Sequence, residues 1–430
     1  MTKPRLYAFN TPSGWNAMLP PRTPRPALTG RHEVKYAIIG AGYTGVAASR
    51  RLTELDPGAE ILLLEAGTVG EGSSGRNSGF TRPLEFPITI NAGNAARTEA
   101  VTPFNQEGFS YLTATIEAAG IDCWLTRAGV IRGAASEAGE ERIRSSKLHL
   151  DRMGHTAELL SREELRDRTG TAYYRCGLFV ENSYFVQPAA LIRGLVDSLP
   201  GTVMLHERSA VKKLSRQGKW HLELDGASVV ADTVIIAVNA LAKQLGYLRD
   251  RLVTLFTYAA ITEAMGAGDA GGIGSMPTWG ILPAHRMGTT CRRVGPDRVM
   301  VRSLSSYEGE LKPADVQARL RRIYEARWPH LAHLKFEYVW GGTTGFTMNG
   351  SPWWGRLEDG LYASGGCNGA GISKGTLLGK RLAELITGQG DHASLTGAFG
   401  QANWIAPEPF RRIGYKVLAR KGVKEAAQEQ

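Results

Sequence analysis

The chain has 430 residues, and with 43% hydrophobic and 21% charged residues it has the composition of an ordinary globular protein. No apolar run approaches the roughly 18 residues that a membrane-spanning helix needs. The net charge of +10 suits anionic small molecules. Because aromatic residues are not interleaved with the basic clusters and no nucleic-acid-binding module is present, we expect no nucleic-acid partner.

Residues 1–33 form the first segment, which is rich in proline and shows no helical or strand periodicity. This composition predicts an extended arm. We expect the arm to lie across the body of the protein, held there by the aromatic side chains of Phe9 and Trp15. Its prolines are Pro4, Pro12, Pro20, Pro21, Pro24 and Pro26.

Residues 34–80 have the pattern of a nucleotide-binding unit. An apolar run at 36–39 leads into a glycine turn, a helix-like segment follows, and a second apolar run at 61–64 ends at Glu65. Strand, tight turn, helix, strand and acid in this order predict a dinucleotide site. The helix start offers unpaired N–H groups to the phosphates. The turn reads Gly40, Ala41, Gly42, Tyr43, Thr44 and Gly45.

Each glycine of this turn has its own predicted role. Gly40 permits the turn, Gly42 lets the backbone approach a pyrophosphate, and Gly45 lets helix and strand pack closely. Glu65 lies twenty residues after Gly45, where its carboxylate reaches the ribose hydroxyls. A carboxylate at this position disfavours the 2′-phosphate of NADP, which leaves FAD or NAD.

The segment after Glu65 favours FAD. It is rich in backbone donors and poor in bulky side chains, so it can pass over a flat ring and the inner phosphate. It reads GSSGRNSG from Gly72 to Gly79. The cofactor residues that we predict here are Ala66, Ser73, Ser74, Gly75, Arg76, Asn77 and Ser78.

With this segment the chain resembles the D-amino-acid-oxidase-like superfamily of FAD enzymes. It is most similar to the γ-glutamylputrescine oxidoreductase branch, where a GASGRNGG segment follows the acid. The resemblance implies an α/β fold of the GR2 or DAO-like kind. We therefore expect a Rossmann-type FAD-binding domain and a second, mostly antiparallel β-sheet substrate domain, with FAD as the cofactor.

Residues 81–187 lack a second nucleotide fingerprint and are predicted to be the first half of the substrate domain. The pattern predicts a helix at 104–119, a strand pair at 123–132 around Gly129, a helix at 137–153 with Ile143 and Leu148 facing inward, and strands within 173–186.

The FAD-binding domain resumes at 188–250. A helix is predicted at 189–199, and the continuous apolar run at 231–238 is typical of a fully buried parallel strand. Asn239 follows that run, where the superfamily has small residues on the FAD side of the sheet. The resemblance also places the backbone of Val211 at the adenine edge.

Residues 251–354 are predicted to be the second half of the substrate domain, with strands at 289–294 and 298–302 joined by a turn and an amphipathic helix at 314–328. The segment 340–352 resembles the W-x-G and T-x-D-x-x-P segment of the superfamily, which runs beneath the flavin and here includes Gly342. Asn349 stands where aspartate is usual.

Residues 355–400 complete the FAD-binding domain with a strand at 361–363, a second glycine turn and a helix at 372–387. Unpaired N–H groups in this turn can stabilise negative charge on the flavin's pyrimidine edge. The family has GHG where this chain has Gly369, Ala370 and Gly371, so a histidine is missing. The other predicted cofactor residues here are Gly366, Cys367, Asn368 and Ile372.

Residues 401–430 form a basic tail. Phe410, Ile413 and Val417 have helical spacing among arginines and lysines, which is typical of a basic amphipathic helix. Such a helix can make weak peripheral contact with an anionic membrane, or it can pack on the body of the enzyme with its charges in water. The packed helix is the preferred interpretation, because three apolar residues bury too little area for firm membrane binding.

The resemblance implies the chemistry. In this superfamily, a C–N bond of an amine or amino acid is oxidised by hydride transfer to flavin, and the imine hydrolyses. Neither a Ser-His-Asp arrangement nor a metal spacing suggests another mechanism. The electrons of the reduced flavin go either to oxygen or, in an amine or D-amino acid dehydrogenase, to a quinone or other acceptor.

Departures from the family pattern bear on the substrate and on flavin attachment. Thr344 stands where glycine oxidase and D-amino acid oxidase have a carboxylate-binding arginine, and near the flavin-linked cysteine of sarcosine oxidase. We therefore expect non-covalent FAD, and simple D-amino acids are disfavoured. Arg82, Arg292 or Arg293 could bind an acidic substrate group, although a surface or ion-paired arginine is the more common case for each.

The four cysteines are far apart in the sequence and have no metal-ligand spacing, so we expect free thiols and no metal site. They are Cys123, Cys176, Cys291 and Cys367. Since the N-terminus lacks the pattern of a secretory signal, we expect a cytoplasmic protein. The sequence is compatible with a monomer or a homodimer.

Overall fold

The computed structural model of the chain describes residues 9–84 and 92–430. Most residues in these ranges belong to helices or to strands of three sheets. The helices in chain order are α1 (Gly14–Ala17), α2 (Tyr43–Leu55), α3 (Ala92–Ala118), α4 (Glu137–Arg152), α5 (Arg162–Thr169), α6 (Pro188–Asp197), α7 (Pro313–Arg327), α8 (Gly371–Ile386), α9 (His392–Phe399) and α10 (Phe410–Ala426).

The strands alternate with these helices along the chain. In chain order they are β1 (Gly30–Ile39), β2 (Ile61–Leu64), β3 (Phe80–Thr81), β4 (Thr126–Arg127), β5 (Val130–Ala134), β6 (Glu158–Ser161), β7 (Cys176–Val180), β8 (Tyr184–Phe185), β9 (Val203–His206), β10 (Lys213–Gln217), β11 (Lys219–Leu224), β12 (Ala227–Ile236), β13 (Val253–Thr262), β14 (Gly280–Pro283), β15 (Thr290–Val294), β16 (Arg298–Tyr307), β17 (Phe336–Phe346), β18 (Trp353–Glu358) and β19 (Leu361–Gly365).

The first sheet has eight strands and a parallel centre. Its main path is β10-β11-β12-β1-β2-β9, with β19 paired to β12 and β18 paired to β19. In the parallel register Ile39 lies beside Leu64 on one side and Ile236 on the other. The carboxyl ends of β1, β2 and β12 therefore meet at one edge of the sheet, which is where nucleotide sites form in open α/β sheets.

Both faces of this sheet are buried. Ile38 and Leu63 pack with the apolar sides of α2, α6 and α8, whereas Leu62 and Ile236 pack against β11 and the segment after β12. Burial on both faces explains why the central strands read as continuous apolar runs rather than as alternating patterns. The α/β fold with a Rossmann-type sheet, as expected from the sequence, is confirmed.

The second sheet also has eight strands, in the order β17-β13-β16-β15-β14-β5-β7-β6. Its pairs are antiparallel except for β14 with β5. Helix α7 covers it through the buried residues Val316, Leu320 and Tyr324. The predicted hairpin between β15 and β16 is present, and Gly295 takes the positive φ of +60° in its turn.

The third sheet is small, with the order β3-β8-β4. The prediction that two strands within 123–132 pair with each other is wrong. The chain does turn at Gly129, but β4 pairs with β8 while β5 lies between β14 and β7. Local turn chemistry predicted the bend, whereas long-range pairing decided which strands became neighbours.

Two helix predictions also need correction. Helix α3 begins twelve residues before the predicted start at 104 and continues through Pro103. Its buried Val101 and Leu112 pack in the core with α8, so tertiary contacts outweigh the lost hydrogen bond of the proline. Leu148 of α4, which was expected to face inward, is 51% exposed, because Ile143 and Leu150 occupy the buried side instead.

The N-terminal arm is held by its aromatic residues. Trp15 is fully buried, its Nε1 donates to the carbonyl of Asn77 at 2.8 Å, and its ring lies 6.2 Å from that of Trp340. The arm differs from the predicted extended segment in two respects. It contains the short helix α1, and its last residues, from Gly30, already belong to β1.

No helix in the two described ranges is long and apolar enough to cross a membrane. The tail, predicted to be helical, forms α10. The boundaries predicted for the two domains remain a prediction. Helix α3 lies in the predicted substrate half, but it packs on α8 and α9 of the nucleotide half.

Candidate active site

A cavity of about 1360 Å³ lies where the carboxyl ends of the parallel strands meet the second sheet. Its walls include residues at the ends of β1, β2 and β12 on one side and residues of β13, β16 and β17 on the other. Sites for drug-sized ligands typically measure about 300–1,000 Å³. This cavity therefore has room for a dinucleotide together with a second small molecule.

The structure brings most of the predicted cofactor residues together around this cavity. Gly45, Gly75 and Gly366 are the exceptions, and each has a role in the backbone. The predicted residues that line the cavity are Gly40, Gly42, Tyr43, Thr44, Glu65, Ala66, Ser73, Ser74, Arg76, Asn77, Ser78, Val211, Asn239, Gly342, Cys367, Asn368, Gly369, Ala370, Gly371 and Ile372.

The three exceptions lie just behind the wall. A Cβ on Gly45 would collide with the carbonyl of Gly40, and one on Gly75 would collide with the carbonyl of Gly70. Gly366 has a φ of +75°, in the left-handed region where glycine is favoured. These glycines let the two turns fold tightly enough for their neighbours to face the cavity.

Glu65 holds the first turn to the loop that follows β2. Its carboxylate accepts hydrogen bonds from the N–H of Ala41 and the N–H of Gly67, each at 3.0 Å. Burial raises the pKa of this carboxyl group above its ordinary value. Each oxygen of a carboxylate can accept two hydrogen bonds, so both retain capacity for ribose hydroxyls.

Two helix N-termini border the cavity. Helix α2 begins after Gly42 and helix α8 begins after Ala370, and neither start is capped by a side chain. The helices approach closely because Gly379 of α8 lies against the backbone of Thr44. Uncapped N–H groups and two positive dipole ends are suited to the pyrophosphate and to a ring that becomes anionic.

The loop of residues 73–78 is fixed both by its own hydrogen bonds and by donors from other segments, including Ser13, Tyr43 and Trp340. Asn77 donates to the carbonyl of Ser74 at 2.7 Å and accepts from the N–H of Gly79 at 2.8 Å. Ser73 Oγ lies 2.6 Å from Thr343 Oγ1 on β17. This loop therefore connects the parallel sheet to the second sheet directly beside the cavity.

The side chain of Arg76 has a structural role that the sequence did not reveal. Its guanidinium donates to the carbonyls of Glu71, Thr11 and Gly341, and it lies 3.9 Å from the ring centre of Phe9. Because these partners occupy the guanidinium, only the rest of Arg76 is available to a cofactor.

The second glycine turn is braced by two asparagines. Asn239 accepts from the N–H of Gly366 at 2.8 Å and donates to Cys367 Sγ at 3.3 Å. Asn368 accepts from the N–H of Thr347 at 3.0 Å and donates to the carbonyl of Gly366 at 2.7 Å. The end of β12, the end of β17 and this turn are thus held as one unit.

The predicted substrate residues separate into two groups. Arg82 and Thr344 line the cavity. Arg292 does not line the cavity, and the residue is only 3% exposed. Its guanidinium donates to the carbonyls of Ser78, Gly79 and Val186 and lies over the ring of Trp15. The sequence-based assignment of Arg292 to substrate binding is therefore corrected, because this arginine braces the end of the loop of residues 73–78 and the N-terminal arm.

The neighbouring Arg293 is also committed elsewhere. Its guanidinium donates to the carbonyls of Gly274, Met276 and Pro296. The arginine that the sequence reasoning missed is Arg302 on β16, which lies beside Thr290 and Ala259 in the sheet. All three line the cavity.

Arg302 is distinguished by what surrounds it. Its guanidinium has neither a hydrogen-bond nor an ion-pair partner within residues 9–84 and 92–430, and burial lowers its pKa. A desolvated guanidinium favours an anionic partner, because burying an unpaired charge is costly. In the sequence, Arg302 is only one more basic residue within an apolar strand, so nothing there distinguished it from the other arginines.

The charged residues on the described wall of the cavity are predominantly basic. Glu65 is its only carboxylate among the described residues, whereas seven arginines and two lysines line it. Such a wall attracts anions and disfavours bound cations. The basic residues are Arg76, Arg82, Arg97, Arg132, Arg142, Lys212, Arg286, Arg302 and Lys374.

Comparison with known proteins decides what family this site represents. The model of the family described as FAD dependent oxidoreductase (DAO) matches residues 35–385, which include both glycine turns and the cavity strands. The chain belongs to this family. It is therefore an FAD-dependent oxidoreductase, and the uncapped helix starts, Glu65 and the glycine turns fit its FAD.

Individual relatives are distant but extend over most of the chain. A probable oxidoreductase OrdL of Rhizobium meliloti is 25% identical over 393 residues, with 89% of this chain and 90% of the relative covered. The gamma-glutamylputrescine oxidoreductase of Escherichia coli K12 is 25% identical over 369 residues, covering 82% and 84%.

Among solved structures, glycine oxidase from Geobacillus kaustophilus has the same fold. Its TM-score with this chain is 0.73 at 18% sequence identity, and the match covers 87% of this chain and 100% of the other. This likeness supports the DAO-like fold with its two large sheets.

Proposed function

We propose that this FAD-dependent oxidoreductase oxidises the C–N bond of an amine that also carries an anionic group, such as an amino acid or a carboxylated amine. The observation that carries the proposal is Arg302. This arginine lies on the cavity wall, with a lowered pKa and without a charged partner in the described chain. A substrate carboxylate would supply the missing charge.

The basic wall also suits the nitrogen chemistry. The glycine turns and Glu65 would hold FAD at this cavity, where it would supply the acceptor for a hydride from the carbon next to the nitrogen. The nitrogen lone pair forms the C=N bond, so the amine has to be neutral before this step. Positive charges around the bound substrate lower the pKa of its ammonium group and increase the neutral fraction. Water then hydrolyses the imine to a carbonyl compound and ammonia or, where the nitrogen is substituted, an amine.

A γ-glutamylputrescine-like substrate belongs to the proposed class, because that compound has a free carboxylate as well as a terminal amine. One relative bears this substrate in its name. A small N-substituted or primary amino acid belongs to it as well, since the glycine oxidase whose fold matches is named for an amino acid. These two kinds of substrate differ in length, since γ-glutamylputrescine is much longer than glycine or N-methylglycine.

For the acceptor, we propose oxygen. The cavity wall has positive charge, and negative charge develops on oxygen as it takes up an electron. The alternative is a dehydrogenase that passes electrons to a quinone or to another acceptor. Peroxide formation in air supports the oxidase, and turnover only with a quinone or a redox dye supports the dehydrogenase.

The test compares matched substrates on the purified flavoprotein. Each pair consists of a carboxylated amine and its primary amide, and the readouts are anaerobic loss of the visible flavin absorbance and steady-state turnover. Members include γ-glutamylputrescine, glycine, N-methylglycine and short carboxylated amines. We expect bleaching by carboxylated members and much weaker bleaching by the amides.

Two variants locate the anchor. Removing one charge-assisted hydrogen-bonding partner costs about 1.5–3 kcal/mol, or roughly 10- to 150-fold in kcat/KM. Arg302→Met should show this loss for a carboxylate and little change for the matching amide, whereas Arg302→Lys should recover part of it. If the variant loses equal activity toward both members of a pair, Arg302 is not the anchor.

A further inference from the structure

Helix α10 exposes an unusual share of the large apolar residues. Ten such side chains are exposed within the described chain, and half of them belong to this 17-residue helix. Exposed apolar residues that occur singly need no explanation, but a cluster of this kind indicates an interaction surface. The five residues are Phe410, Ile413, Val417, Leu418 and Val423, with exposures between 45% and 66%.

The exposure does not result from a detached helix. The side of α10 that faces the body carries Arg411, Tyr415, Ala419, Gly422 and Ala426, which are all less exposed than their neighbours. The ring centres of Tyr415 and Tyr307 lie 5.0 Å apart, and Arg411 donates to the carbonyl of Leu252 at 3.4 Å. These contacts fix the rotation of the helix about its own axis.

The end of the chain is anchored as well. Glu429 is 1% exposed, and its carboxylate accepts hydrogen bonds from the N–H groups of Ala135 and Ser136 and from the hydroxyl of Ser136. Arg327 donates to the backbone carbonyl of Gln430 at 2.8 Å. With both its inner side and its end secured, α10 presents one defined face to the outside.

That outer face combines apolar and basic residues. At about 3.6 residues per turn, Phe410, Ile413 and Val417 fall opposite the inner side in the first half of the helix. Arg420, Lys421 and Lys424 fall on the same outer face in the second half. Glu425 is the only acidic residue of the helix, which has six basic ones.

We propose that the outer face of α10 binds the surface of an anionic lipid bilayer. Apolar side chains enter the boundary between headgroups and acyl chains, and basic side chains are attracted to anionic headgroups. Because the apolar and basic residues share one face, both can engage the same surface at once. This proposal does not depend on the identity of the substrate.

A second copy of the chain fits this face less well. Pairing two copies through the outer face of α10 would bring two strongly basic helices together, and like charges would repel. A bilayer rich in anionic lipid has the complementary charge. The helix also packs near the cavity, since Gly422 lies against Met287, which directly follows the cavity residues His285 and Arg286.

The test is co-sedimentation of the full-length flavoprotein with vesicles at low salt. We use phosphatidylcholine vesicles with and without phosphatidylglycerol. The wild type should sediment with the anionic vesicles, remain in solution with pure phosphatidylcholine, and dissociate as salt is added. A wild type that stays in the supernatant with anionic vesicles at low salt refutes the proposal, whatever the variants do.

Substitutions separate the two contributions. The basic variant is Arg420→Gln/Lys421→Gln/Lys424→Gln, and the apolar variant is Phe410→Gln/Ile413→Gln/Val417→Gln. Each should weaken vesicle partitioning ~10-fold or more, because each basic residue contributes appreciably near an anionic surface and apolar insertion adds to it. Truncation at Pro409 is avoided, since it would also remove the buried Glu429.

A matched control removes the same charge from another surface. Lys312→Gln/Arg319→Gln/Arg322→Gln alters exposed basic residues around α7. If this control weakens binding as much as the basic variant, the attraction belongs to the whole charged protein and the proposal is wrong. If light scattering shows a dimer that only the apolar variant disrupts, the outer face is a contact between copies, which also overturns the proposal. Flavin content and melting temperature verify that each variant is folded.

Discussion

Replacing Glu65 by alanine tests the cofactor site at its most informative residue. In the structure, each carboxylate oxygen accepts one backbone N–H, from Ala41 or from Gly67. The glycine turn and the loop after β2 are thereby held together. The same oxygens have the remaining capacity to accept both ribose hydroxyls of FAD.

The expected loss follows from these contacts. Two hydrogen bonds between ribose hydroxyls and an ionised carboxylate contribute about 1.5–3 kcal/mol each. Their removal should therefore weaken FAD binding by about 3–6 kcal/mol, or roughly 10²- to 10⁴-fold. The loss of the two backbone contacts loosens the turn and acts in the same direction.

The assay is flavin occupancy after purification, followed by titration of the flavin-free protein with FAD. Glu60→Ala is the matched control, because Glu60 lies just before the same strand with an exposed side chain. We expect the control to purify yellow and Glu65→Ala to purify colourless. Full flavin occupancy in Glu65→Ala would refute the ribose assignment and with it the argument from carboxylate spacing.

Four further predictions concern other parts of the site and the tail. Gly45→Val should prevent flavin binding or folding, since any Cβ there meets the Gly40 carbonyl; a soluble yellow variant would contradict this. The flavin should leave the protein on acid precipitation, because no covalent link is expected at Thr344. Acid also protonates Glu65 and removes an acceptor for the ribose, and since burial raises the pKa of this carboxyl group, the protonation occurs at a higher pH than for an ordinary glutamate. Colour retained by the precipitate would instead implicate Cys367, which lines the cavity. Arg82→Ala should raise KM for a carboxylated amine and barely alter that for its amide, and equal effects would indicate a structural role. Glu429→Ala leaves buried N–H groups unpaired and should lower the melting temperature, with a cost of about 1–3 kcal/mol per group; an unchanged melting temperature would mean that the chain end is not an anchor.

The sequence alone determined the nucleotide unit, because that unit is local. The apolar runs, the spacing of Gly40, Gly42 and Gly45, and the distance to Glu65 all lie within about thirty residues. Backbone sterics and strand burial act at that range, so the pattern predicts the geometry directly. The DAO-like fold followed from the same residues and is confirmed.

The sequence also indicated which small residues would converge from distant segments. Residues of the first turn, the loop after Glu65 and the second glycine turn line one cavity. This convergence could be anticipated because the carboxyl ends of parallel strands meet at one edge. The roles of these residues toward FAD remain a prediction.

The tertiary structure alone decided which arginine of the paired strands β15 and β16 faces the cavity. Thr290, Arg292, Met300 and Arg302 occupy alternating positions on paired strands, so period-two reasoning places them on one face of the sheet. Trp15 of the N-terminal arm packs with Met300 and lies against Arg292, whereas Thr290 and Arg302 line the cavity. A segment almost 300 residues away covers one arginine and leaves the other exposed to the cavity, and no local pattern contains that information.

The tail shows the same division between local and long-range information. Helical spacing from Phe410 onward predicted α10, because spacing is a local property. Which side of α10 faces the protein was decided by Tyr307, by Met287 and by the binding site for Glu429 at the start of α4. Those contacts turn the apolar residues outward, and only the assembled fold could bring the contacting residues together.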